Sequence, residues 1–201
     1  MTSKFRQAAI AQFQRFKLNT AGVAAIEFAF LLPILVILML GVTEASHAII
    51  AHKRFQKAVS MMGDLVSRED TIGSDVSSAQ GTMNGMMEAA KQAMYPYNIA
   101  TLKMGITAIK ADPNTGAQTV AWSYSYNSFP VTACSGSKSM PAAGMITNGN
   151  SAVLVEAQYT YTPIISGLVP GFGGNLIFND KIANAPRGQC PDYAGKKCTT
   201  C

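Results

Sequence analysis

The chain has 201 residues, 48% of them hydrophobic and only 13% charged, with a formal net charge of +5. That length accommodates one membrane helix and one modest domain, at roughly 100–200 residues per domain, and charge is scarce against about a quarter of the residues in an average soluble domain. The positive balance therefore reflects few acids rather than a basic surface, and it argues against nucleic acid as a partner, because a binder would cluster Lys and Arg with interleaved aromatics.

Residues 1–22 read as a basic cytoplasmic leader, with Lys4, Arg6, Arg15 and Lys17 and no acid, in the manner of the first region of an export signal. The run GVAAIEFAFLLPILVILMLGV at 22–42 follows. About 20 apolar residues in a helix cross a hydrocarbon core of roughly 30 Å, so residues 23–42 are expected to form a transmembrane helix. The run is too long for a simple cleaved secretory peptide. Its one charge is Glu27 and its one proline Pro33. An ionised side chain within a bilayer helix costs about 2.5–3.5 kcal/mol on insertion scales, so Glu27 calls for a partner or a role.

Gly22, four residues, Glu27, Phe28 and then unbroken hydrophobicity resemble the processing site of type IV pilins and pseudopilins. The fuller string AAIEFAFLLPILVILMLGVTEA resembles the TadE/TadG-like pseudopilins of the tight adherence (Tad) pilus system. The resemblance implies that a prepilin peptidase cuts between Gly22 and Val23. It also implies that Glu27, with Phe28 beside it, acts in assembly, the glutamate meeting the free amino terminus of a neighbouring subunit. Val23 stands where many pilins carry Phe or Met. Pro33 would perturb a continuous helix, yet belongs to the TadE/TadG-like pattern. The function implied is that of a minor pilin or pseudopilin-like subunit in the assembly of an adhesive pilus at the bacterial inner membrane. Its partners would be the membrane, the prepilin peptidase, and other pilus subunits and assembly machinery. The alternative is an uncleaved single-pass protein whose periplasmic domain binds a ligand or a surface.

Beyond the span, Ala45, Ala48, His52, Phe55, Val59, Met62 and Val66 recur at three and four residues, the mark of an amphipathic helix. Residues 43–66 are expected to continue the membrane helix and to lay that face on a sheet, with Lys53, Arg54 and Lys57 on its solvated flank. His47 and His52 are five apart, whereas two ligands on one helical face need a spacing of four, so no metal is expected there. Residues 67–185 are expected to form an exported α+β domain. Residues 67–80 read as a loop, with Ser77 or Ser78 capping a second helix that runs to Met94 and carries a core stripe of Met83, Met86, Met87, Ala90 and Met94. Pro96 ends it.

Leu102, Met104, Ile106 and Ala108 alternate, as do Val120, Trp122, Tyr124 and Tyr126, with turn residues 112–116 between them. That pattern is a β-hairpin. Residues 127–150, rich in Ser, Gly, Pro and Ala, read as a long exposed loop pinned through Cys134. Val153, Val155, Ala157, Tyr159 and Tyr161 mark a further strand, 167–174 a mobile glycine-rich loop, and 176–183 a last strand. The fold class expected is α+β, a long membrane-spanning helix continuing into a pilin-like unit with a second helix and an antiparallel sheet.

The four cysteines, Cys134, Cys190, Cys198 and Cys201, all follow the span. Disulfides persist in an oxidising compartment such as the periplasm, so all four are expected to be paired, the last three within a cysteine-rich tail at 186–201. Basic residues flank the span on both sides and decide little about orientation. Long domains translocate largely regardless of such charge, which places the amino terminus in the cytoplasm and the rest in the periplasm. Cys198 and Cys201 have redox CxxC spacing, but they stand at the last residues of the sequence rather than at a helix start after a strand, where the thiol pKa is lowered. With no G-x-S-x-G, P-loop or HExxH motif, the expectation is no enzyme, no cofactor and no small-molecule substrate.

Overall fold

A computed structural model describes residues 22–142, 144–164 and 174–198; all but Gly22 of the expected leader at 1–22 and most of the glycine-rich loop lie outside them. The elements in order are α1 (Val23–Arg68), β1 (Thr71–Ile72), α2 (Val76–Met94), β2 (Lys103–Ala111), β3 (Gln118–Tyr126), β4 (Ser151–Tyr161), β5 (Leu176–Asn184) and β6 (Asp192–Tyr193). This is the α+β class read from the sequence. The chain divides into two compact units between Ala45 and Ser46.

The first unit contributes the apolar part of α1. The helix is continuous through Pro33, and the most apolar stretch is wholly exposed, with the length and composition to cross a membrane. Thr43, just past the apolar run, returns its hydroxyl to the Met39 carbonyl at 2.8 Å, which satisfies that polar group within the helix.

In the second unit β2–β5 form an antiparallel sheet of order β3-β2-β4-β5. Ala51, Phe55, Ala58, Val59, Met62 and Val66 of α1 are buried against one face of it, as the three-and-four spacing requires, together with Met83, Met87, Ala90 and Met94 of α2. The methionine stripe is therefore core. Val155 of β4 lies in register with Ile106 on one side and Ile182 on the other, so the apolar row is continuous across three strands.

Two details depart from the alternation and capping signals. The cap of α2 is Asp75, not Ser77 or Ser78: its carboxylate accepts the Ser78 amide at 2.9 Å while the Ser78 hydroxyl accepts the Asp75 amide at 3.1 Å. This reciprocal box satisfies two otherwise orphaned donors. In β3 a bulge between the pairs Ala108–Trp122 and Ile109–Val120 leaves Ala121 extra. Ala121 and Trp122 then enter the main core, whereas Val120 is buried outside it.

Residues 127–150, expected as an exposed loop, instead cover the second face and the edge of the sheet. The Val120 amide donates to the Gly136 carbonyl at 2.9 Å and the Ser135 amide to the Val120 carbonyl at 2.9 Å. Met140 and Ile146 are buried with Ile109, Ala111, Ala152 and Leu154. Gly105 in β2 makes room for this cover, since a Cβ there would stand 2.5 Å from the Phe129 ring. The Lys138 ammonium meets Glu156 at 2.7 Å across the same face.

The tail is docked as well. The parallel pair β1–β6 carries it, the Ala194 amide donates to the Ile72 carbonyl at 3.0 Å, and the Gly195 amide donates to the Gly73 carbonyl at 3.1 Å. Gly73 has φ +70°, and a Cβ there would lie 2.2 Å from the Ala79 amide nitrogen, so no other residue fits this crossing without strain.

The Ser78 amide hydrogen bond is the main reason that the Asp75 carboxyl is held below the usual carboxylate range. A folded-state value below the unfolded one, about 3.9, gives stability that is complete above the unfolded value and is lost as pH falls through the folded one. Asp75→Ala is accordingly expected to lower the urea midpoint at neutral pH, with the gap to the parent closing as pH falls below about 4. Equal midpoints at neutral pH would remove the cap from the account of α2.

Candidate functional site

The residues that the sequence marks for processing and assembly sit together at the start of α1. Gly22 immediately precedes the helix, and nothing comes within 4 Å of where its Cβ would be. The α-helix begins at Val23 with no acidic residue in its first turn. Val23 is 51% and Phe28 57% exposed, and Glu27 is exposed between them. Val23 and Glu27 are four residues apart, so they project from one helical face. The Glu27 carboxylate makes no hydrogen bond or ion pair among the described residues and is flanked by the apolar side chains of Ile26, Phe28 and Phe30. In hydrocarbon such a group is favoured only with a cation or donor beside it.

The two histidines take separate structural roles. The His52 ring lies 4.8 Å from the Phe178 ring, which places it in the packed stripe, whereas the His47 carbonyl accepts the Tyr97 hydroxyl at 3.1 Å. Among the described residues no three His, Cys, Asp or Glu side chains stand together as metal ligands.

Cys190 and Cys198 form a disulfide with their Cα atoms 5.8 Å apart. This rules out the pairing of Cys198 with Cys201 that the CxxC spacing left open. Cys134 is also disulfide-bonded, and Cys201, the one remaining cysteine of the sequence, lies outside the described residues. Sequence reasoning missed what holds the tail besides the bridge. The Trp122 indole N–H donates to the Pro191 carbonyl at 2.7 Å, and its ring stacks on Tyr193 at 4.9 Å. The sole tryptophan of the chain is the signal that could have pointed there, because a buried indole N–H requires an acceptor.

Fold and site together define a protein in which one long apolar helix, fit to cross a membrane, continues into a disulfide-bonded α+β unit. The family described as TadE-like protein matches residues 22–62, from the glycine before α1 to the helix turn that packs in the core. Over that segment the chain is similar to the TadE-like family, in agreement with the resemblance read from the sequence. No curated protein and no solved structure matches the chain.

Proposed function

We propose that the chain is a minor pilin or pseudopilin-like subunit that takes part in assembling a Tad-type adhesive pilus at the bacterial inner membrane. The observation that carries this reading is that the TadE-like match begins at Gly22, one residue before an exposed apolar helix with Glu27 as its only charge over the span. A prepilin peptidase cutting after Gly22 would leave a free amino group on Val23, on the helical face that carries Glu27. Parallel copies of that helix can then set the amine of one against the carboxylate of the next. The disulfide-bonded unit after the span supports a periplasmic location for it.

Two measurements test the reading. The amino-terminal sequence of the membrane-extracted protein is expected to begin at Val23, and an intact leader would favour the uncleaved single-pass alternative. Glu27→Ala removes a group that costs insertion energy, so cleavage and membrane insertion are expected to persist while piliation of a deletion strain is lost. Full complementation by Glu27→Ala would end the assembly role of that residue.

A further inference from the structure

We propose that Asp180 keeps the open edge of the sheet from pairing with a second copy of the chain. The sheet has the order β3-β2-β4-β5, so its edges are β3 and β5. Main-chain bonds from residues 135–138 to Gln118 and Val120 close part of the first edge. Residues 176–184 of β5 make no such bond beyond the sheet among the described residues. Their register against β4 is unbroken, and the strand contains no proline. A long, regular edge of this kind is a template for another strand.

This edge is self-complementary except at its middle. In an antiparallel pair related by a two-fold axis, one residue lies opposite its own copy and the others meet in pairs about it. The register that pairs all of Leu176–Asn184 is centred on Asp180. It sets Phe178 opposite Ile182 and Ile177 opposite Ala183, which favours pairing, and Asp180 opposite Asp180, which opposes it. Asp180 shares a face with Phe178 and Ile182, because residues alternate along a strand. That face lies under α1: the Phe178 ring is 4.8 Å from the His52 ring, and Ile182 Cγ2 is 3.4 Å from where a Cβ on Gly63 would stand. Asp180 is accordingly half-buried. Its carboxylate accepts the Lys181 amide at 2.9 Å and has no ion pair among the described residues. A second strand would close over two such carboxylates with no cation between them, a costly burial. Shifting the centre by one residue does not escape the charges. Centred on Asn179, the pair sets Asp180 opposite Phe178 and Lys181 opposite Ile177; centred on Lys181, it sets lysine opposite lysine and Asp180 opposite Ile182. Charges that point inward from an edge strand block strand addition in this way.

The test uses the full chain in detergent micelles over a wide range of protein concentration. Hydrogen exchange of the amides of 176–184 is followed by mass spectrometry, and because this readout is local to β5, association through the apolar helix does not enter it. Asp180→Thr removes the charge and keeps a strand-forming residue, whereas Asp180→Lys reverses the charge and keeps the block. Exchange at 176–184 is expected to be independent of concentration in the parent and in Asp180→Lys. In Asp180→Thr it is expected to slow as concentration rises, with a matching gain of mass in sedimentation, at concentrations about tenfold or more below any at which the parent pairs. Trp122 emission checks that each variant is folded. Concentration-dependent protection of 176–184 in the parent overturns the proposal without recourse to any variant. A folded Asp180→Thr whose exchange matches the parent's at every concentration overturns it too, as does an Asp180→Lys that pairs as readily as Asp180→Thr.

Discussion

Phe55→Ala is expected to cost the folded unit roughly 3–5 kcal/mol, the usual range for truncating a buried Phe. Phe55 is fully buried and its ring stacks on Tyr159 of β4 at 6.0 Å, so it joins α1 to a central strand of the sheet. Domains of this size are stable by about 5–15 kcal/mol, and a loss on this scale would bring the detergent-solubilised protein close to unfolding at ambient temperature. Trp122 is the only tryptophan and is 6% exposed, so its emission reports urea unfolding of the unit without a label. Ile49→Ala, at a helix position 59% exposed, is the control and should shift stability by no more than about 0.5 kcal/mol. A Phe55→Ala midpoint within that control range would mean that α1 is not an essential wall of the core.

Opening the disulfides should produce the second large loss. By chain-entropy estimates, Cys190→Ser with Cys198→Ser releases a short loop worth roughly 2–3 kcal/mol, and Cys134→Ser releases one of about 65 residues worth roughly 4 kcal/mol if Cys201 is its partner. With Cys190 and Cys198 joined, Cys201 is the pairing that the sequence leaves for Cys134. Non-reducing peptide maps of protein made in the periplasm should show no free thiol and a Cys134 peptide linked to the Cys201 peptide. Opening either bridge should also shift Trp122 emission towards that of a solvated indole, because Trp122 bonds and stacks on residues of the same tail. Four free thiols would remove this prediction together with much of the case for export.

The helix and the strands were legible because their periods are local. The three-and-four spacing from Phe55 to Val66 survives folding unchanged, and apolar residues at every second position mark one face of β2, β4 and most of β3. What escaped depends on contacts between distant segments. Met140 and Ile146 are isolated apolar residues in a polar stretch, and they are buried because Gly105 leaves the outer face of β2 open to a covering loop. The cap of α2 was hidden among competing Ser and Asp residues, any of which has the chemistry. The extra residue Ala121 carries no sequence mark at all. At the candidate site, the order Gly22, Val23, Glu27 was legible from the sequence, and the structure adds the helix start at Val23 and the exposed face.

The pairing of β1 with β6 bears on the order in which the protein can mature. Synthesis delivers the chain from its amino terminus, and a contact between residues about 120 positions apart is closed late, at a cost in loop entropy. Until residues 191–194 emerge, Ile72 lacks the strand that covers it, and the Trp122 indole lacks the acceptor it meets in the finished core. The Cys190–Cys198 bridge spans only eight positions and can close as soon as both thiols are exposed to oxidant. During synthesis the residues of the sheet are thus available before the tail that covers Ile72 and Trp122, and until the tail docks those two side chains are open to solvent in a way they are not in the mature fold.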